Sequence, residues 1–213
     1  MKNRKLNFLI LIITFLVSCQ EHKTEFKSYQ IDRTKDLFEN LSKNLNPDES
    51  YTYWAFLRST HGIGNATILN ERGNIDQREL LNLRFNLSGF FSWGHHADIY
   101  YYILAVKDGE VFKVDTKENL LTFLDKIDTK EEAFLIARIN EFLIDNCLSQ
   151  GNSYRRVKNG YELLLIGPDS YSEGYINYDL KRTQHFVTIN HKGELSTRLI
   201  GVYCEGDEEC ICD

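Results

Sequence analysis

Apolar positions along the chain switch between helical spacing and strict alternation, and the switches mark the elements. Leu37, Phe38, Leu41 and Leu45 recur at helical spacing before Pro47, which predicts a helix over residues 32–44. Residues 51–58 are aromatic and β-prone and read as a strand. A glycine-containing loop (59–65), a short strand (66–69) and a turn at Arg72-Gly73 follow. Residues 76–92 carry both periodicities. Leu83, Phe85 and Leu87 alternate with Arg84 and Asn86, which favours a strand ending near Gly89. Residues 98–106 and 110–114 flank Asp108-Gly109, a strong hairpin signal. Asp115 is the expected cap of a helix with Glu118 three residues on and Leu120, Leu121 and Leu124 as its apolar stripe. Thr129 and Glu132 form a capping box for a second helix, with Leu135, Ile136, Ile139, Phe142 and Leu143 as its stripe and an end near Asn146. Residues 153–157 and 161–166 flank Asn159-Gly160, Gly167-Pro168 breaks the chain into a loop over 168–178, and 183–190 and 194–202 flank His191-Lys192-Gly193.

The order is an N-terminal helix, a mixed β region with a hairpin, a helix pair and a C-terminal antiparallel meander of about four strands. Helices and strands in separate runs argue an α+β fold. A single domain over 31–213 is expected, with 115–129 as the point of any sub-division. In element order the C-terminal unit resembles small cone-shaped α+β folds of the cystatin or NTF2 type. That resemblance rests on pattern, with no motif behind it, and implies nothing about function.

The longest apolar run stands apart from this body. Lys2, Arg4 and Lys5 precede apolar residues 6–17, and Ser18-Cys19 follow. Twelve residues are too few for a bilayer-spanning helix, which needs about 20, and a basic stub with a short apolar stretch reads as an export signal. Leu16-Val17-Ser18-Cys19 resembles the lipobox of bacterial lipoproteins. The resemblance covers residues 1–19 and implies cleavage before Cys19, lipid on its thiol and amino group, and a position in the bacterial cell envelope, facing outside the cytoplasm. Residues 19–30 then tether the body to the membrane. Cleavage removes three cations and no acid, so the chain shortens from 213 to 195 residues and its net charge moves from −6 to −9. An acidic chain argues against nucleic acid as partner, because phosphate binding needs a basic face.

Export also changes the cysteines. With Cys19 lipidated, Cys147, Cys204, Cys210 and Cys212 remain, an even number in a compartment that permits disulfides. Three pairings exist; Cys204–Cys210 with Cys147–Cys212 is favoured, because Cys210 and Cys212 are too close for an easy direct link. The tail lacks the C-x2-C spacing of a zinc site. Its acids Glu205, Asp207, Glu208, Glu209 and Asp213 lack the ordered loop of a calcium site. Arg155-Arg156 reads as a solvated hairpin end.

Trp93-Gly94-His95-His96-Ala97-Asp98 is the densest polar-aromatic patch. Adjacent strand residues point to opposite faces, so His95 and His96 could share a metal only from a loop, with His61 or His185 as third ligand. No metal site and no cofactor are expected. Ser59-Thr60-His61 sets a hydroxyl beside a histidine without a nucleophile elbow or phosphate loop. Tyr171, Tyr175 and Tyr178 in the 168–178 loop are recognition-type residues; Tyr100, Tyr101 and Tyr102 read as sheet packing. The functional expectation is an exported, lipid-anchored binding or interaction module, with membrane and a protein or glycan as partners. Two alternatives stand beside it: a lipid-anchored hydrolase using His61, His95 and His96, and an inhibitor or immunity-type lipoprotein acting through its acidic surface.

Overall fold

The structure, a computed structural model, describes residues 25–83, 86–93, 99–145, 151–168 and 181–205, with the side chains of residues 181, 204 and 205 outside that description. It has an α+β fold with two antiparallel sheets. The first contains β1 (Lys27–Ser28), β7 (Asn152–Val157), β8 (Gly160–Ile166), β9 (Lys181–Asn190) and β10 (Leu195–Glu205), in the order β1-β7-β8-β9-β10. The C-terminal strands thus form the expected meander. The second has the order β3-β2-β5-β4, from β2 (Tyr53–Thr60), β3 (Thr67–Gly73), β4 (Phe91–Trp93) and β5 (Ile99–Lys107), with β6 (Glu110–Val114) also paired to β5. Asp108 and Gly109 both take positive φ (53° and 79°), as the tight β5–β6 hairpin turn requires.

Among the described residues three α-helices complete the fold: α1 (Leu37–Ser42), α2 (Lys117–Leu124) and α3 (Lys130–Ile139). Every residue of α3 from Glu131 to Arg138 is buried. The expected one-sided stripe is therefore a core surrounding the helix, and its periodic continuation stops early: Phe142 and Leu143 lie beyond the helix, and Leu143 exchanges both backbone hydrogen bonds with Ile166 of β8. The buried charges of α3, Glu131, Glu132 and Arg138, therefore need partners inside the protein. Phe134 stacks on Tyr29 at 4.5 Å and meets Tyr154 edge-on. One continuous apolar cluster joins α3 to Trp54, Phe56 and Ile103 of the second sheet and to Leu163, Val187 and Ile189 of the first.

A buried helix start must satisfy its free N–H groups internally. The capping box does this: Thr129 Oγ1 accepts from Glu132 N, and Glu132 returns the bond. The fully buried Glu132 carboxylate accepts three backbone N–H bonds, from Asn46 (2.7 Å), Asp128 (2.9 Å) and Thr129 (3.0 Å). Burial pushes its pKa up against those three donors.

Four local expectations are corrected. The first helix is short, because Asp32 turns the chain by binding the Thr34 N–H and hydroxyl, and Asp36 is the actual cap. Arg72-Gly73 is the end of β3, not a turn. The α2 cap is Thr116; Asp115 is held by Lys113 and Ser88 instead. Among the described residues of 76–92 no long strand forms. A 3-10 helix (Ile75–Leu80) leads into irregular chain that lays Leu81 and Leu83 over the outer apolar face of the second sheet, formed by Tyr53, Ala55, Leu57, Tyr102, Leu104 and Val106, while Leu87 is exposed. That face needs a cover, and the segment supplies it with Leu81 and Leu83, held by a bond from Ala66 N to the Leu83 carbonyl at 2.7 Å.

Glu132→Ala strips the partner from three buried N–H groups and should cost about 3 kcal/mol or more in urea unfolding, against about 1 kcal/mol for Thr129→Ala, which loses one capping bond. Equal costs would show that the carboxylate does not organise the three segments.

Candidate functional site

The N-cap of α1 does more than cap. Asp36 Oδ1 accepts from Phe38 N at 2.8 Å, while Oδ2 accepts from the Tyr101 hydroxyl (2.9 Å) and Arg58 Nη1 (3.1 Å). Strand alternation puts Arg58 and Tyr101 on the inner face of the second sheet with Trp54, Phe56 and Ile103. Burial, with Asp36 adding to it, raises the Tyr101 pKa, so the phenol stays a protonated donor. Phe38 stacks on Tyr101 at 4.1 Å and tilts against Phe91 at 4.9 Å. At the C-terminal end of α3 the buried Arg138 guanidinium lies 4.4 Å from the Phe91 ring and 5.3 Å from the Trp93 ring. Trp93 is 43% exposed. Two guanidiniums, one carboxylate and four aromatic rings therefore meet at one end of the second sheet, where Trp93 carries the exposed surface. This is chemistry suited to recognition: Arg and aromatic side chains carry binding energy at partially desolvated surfaces.

Register gathers the histidine-bearing segments at that same end. Thr60 pairs with Ile99, and Ile99 pairs with Trp93. Thr60, which precedes the exposed turn holding His61, and Trp93 and Ile99, which flank residues 94–98, thus lie at one sheet end. His95 and His96 themselves lie outside the described residues. The Ser59 hydroxyl is fully buried, 3.2 Å from the Tyr102 hydroxyl, and accepts from Asn86 N at 3.1 Å. It is a structural hydroxyl of the outer face, unlike the nucleophile weighed from its position near His61. His185 engages both ring nitrogens, with Thr183 and Thr197 at 3.1 Å each, and its ring meets Phe142 edge-on. Among the described residues no group of three or more His, Cys, Asp or Glu is placed to hold a metal ion.

Neither protein-family profiles, nor curated proteins, nor solved structures contain a match to this chain.

The remaining candidates distribute as follows. Cys19, Cys147, Cys210 and Cys212 lie outside the described residues, as do Tyr171, Tyr175, Tyr178, Asp207, Glu208, Glu209 and Asp213; Cys204 and Glu205 are placed by their backbone alone, in β10. Tyr101 and Tyr102 are buried sheet residues, as expected. Arg155 is no solvated end: it is half-buried, pairs with Glu162 and lies 4.7 Å from the Phe26 ring. A hollow of about 290 Å³ opens on the outer face of the second sheet between Asn82, Asn86, Tyr102, Leu104 and Lys113. Another of about 330 Å³ lies between Asp48, Glu49, Asp125, Lys126 and Asp128.

Sequence reasoning singled out Trp93 and missed Asp36, Arg58 and Arg138. The available signal was Arg138 itself, a cation within the register of an apolar helix, since Arg is rarely buried without a partner.

Asp36→Ala should cost about 2 kcal/mol in urea unfolding, from the lost cap and the lost Arg58 and Tyr101 contacts, and Asp36→Asn about half, since Asn still caps. Asp115, beside the 290 Å³ hollow, gives a pH test. Burial opposes its ionisation, but Lys113 and Ser88 at 2.8 Å outweigh that and lower its pKa. A lowered carboxyl stabilises the fold above its unfolded value of about 3.9 and loses that contribution as pH falls through the folded value. Asp115→Asn should therefore flatten the loss of stability below about pH 4 in thermal melts; an unchanged acid limb would contradict this.

Proposed function

We propose that this chain is an exported, lipid-anchored binding protein of a bacterial cell envelope, recognising a protein or a glycan through its body. The observation that carries the reading is Leu16-Val17-Ser18-Cys19 at the end of a short apolar run behind Lys2, Arg4 and Lys5. Two further features support it. The body's first strand pairing begins at Lys27, close behind Cys19, which fits a short tether. The Trp93 ring beside Arg138 gives the open end of the second sheet an amphipathic lip of the kind used for binding. Among the described residues no helix is long and apolar enough to cross a membrane.

A hydrolase reading draws support from one observation, the register that sets Thr60, just before His61, beside Ile99, which pairs with Trp93. Hydrogen-bond reach between a histidine and an acid or hydroxyl is what that reading needs.

Cys19→Ser in the full-length chain tests the anchor. The wild-type chain should incorporate radiolabelled fatty acid and sediment with membranes, and the variant should lose both. Labelling that persists in the variant would overturn the reading.

A further inference from the structure

We propose that the β1–β7 edge of the first sheet is a second membrane contact, lying against anionic phospholipid headgroups of the leaflet that holds the Cys19 anchor. The inference rests on the lipoprotein reading and extends it. Three observations carry it. The first is direction. β1 runs antiparallel to β7, with Lys27 opposite Tyr154 and Ser28 opposite Ser153, so the chain leading back to Cys19 heads along β7 toward its hairpin tip. Phe26 marks this course: its ring lies 4.7 Å from the Arg155 guanidinium and 6.2 Å from the Phe186 ring.

The second is length. Phe26 lies seven residue steps beyond Cys19. Fully extended they span at most about 25 Å, so this edge stays close to the headgroups. The third is charge. Residues 25–28 and 152–160 hold Lys27, Arg155, Arg156 and Lys158 and a single acid, Glu25, in a mature chain of net charge −9. Lys27, Arg156 and Lys158 are exposed. Lys130 joins them from α3, its ammonium over the rings of Tyr29 and Tyr154 at 5.7 and 5.3 Å. Of the acids that neighbouring elements contribute, Glu162 pairs with Arg155, the buried Glu131 lies 3.8 Å from Lys130, and Asp128 accepts from Asn46 through Oδ2 while its Oδ1 is buried away from solvent. A cation cluster beside a lipid anchor is the second signal that stabilises membrane attachment. Arg138 sits at the opposite end of α3, about 12 Å along the helix from Lys130, which turns the lip at Trp93 away from the headgroups.

The test uses the lipidated full-length protein in vesicles of phosphatidylglycerol and phosphatidylcholine, or of phosphatidylcholine alone. A membrane-impermeant amine reagent is applied and lysine modification is read by mass spectrometry. Lys27 and Lys158 should react about fivefold more slowly on the anionic vesicles, an effect that high salt removes, while Lys113, exposed on β6 of the second sheet, should react equally on both. A chain that carries no lipid defeats the anchor reading and this proposal with it. A chain that is anchored yet labelled equally at Lys27 and Lys158 on both vesicles overturns the edge assignment alone. Lys27→Glu/Lys158→Glu changes only exposed side chains, and its vesicle binding should lose salt dependence; unaltered salt dependence would also overturn the assignment.

Discussion

The rest of the molecule depends on a ten-residue helix that is buried without a break from Glu131 to Arg138. From Glu131 to Arg138 α3 is enclosed by α1 and the inner faces of both sheets. Enclosure gives it apolar contacts on every side, and Ala133 and Ala137 let neighbours approach closely. It also removes water from the helix start, where free N–H groups must find partners inside the protein. Glu132 resolves this by accepting from three backbone N–H groups at once, one of them from Asn46 just beyond α1. A single carboxylate thereby joins the segment after α1, the approach to α3 and α3 itself. Loss of a surface ion pair costs little by comparison.

The same burial fixes the far end. Arg138 is the last buried residue of α3, and a buried guanidinium needs partners. It lies over Phe91 and Trp93, which the β4–β5 pairing holds at the sheet end. Phe38 bridges that pair to Tyr101, and Tyr101 to Asp36 and Arg58. The candidate site is thus a product of core packing: helix, sheet end and cap meet there because α3 must be covered along its whole length.

Much of the fold was legible where a local rule decides. Thr129 and Glu132 mark a helix start because a capping box acts within four residues, and Asp108-Gly109 marks a hairpin because both positions must take positive φ. The four-strand meander follows from alternation interrupted by turn residues. Legibility failed where distant surfaces compete. Leu83 and Leu87 alternate like a strand, but the outer face of the second sheet draws in Leu81 and Leu83 while the backbone stays irregular. The first helix reads longer than it is, since Asp32 and Asp36 offer side-chain acceptors that end the turn early. Of the candidate site, Trp93 and the neighbouring histidine segment drew notice as a dense patch. Asp36, Arg58, Tyr101 and Arg138 did not converge on paper, because they are tens of residues apart and carry no spacing that signals contact.

The sequence by itself determined the α+β class, the capped start of α3, the hairpins and the acidic balance of the body, all of which arise from chemistry within a few residues or from composition. Tertiary structure alone decided that α3 is buried all round and not along a stripe, and that Asp36 serves one carboxylate to a helix cap, a phenol and a guanidinium. It alone decided that Thr60, Ile99 and Trp93 share one sheet end. The physical reason is the same in each case. Periodicity reports which residues prefer burial, but which surfaces meet depends on sheet register and on how many faces of a helix the other elements can cover.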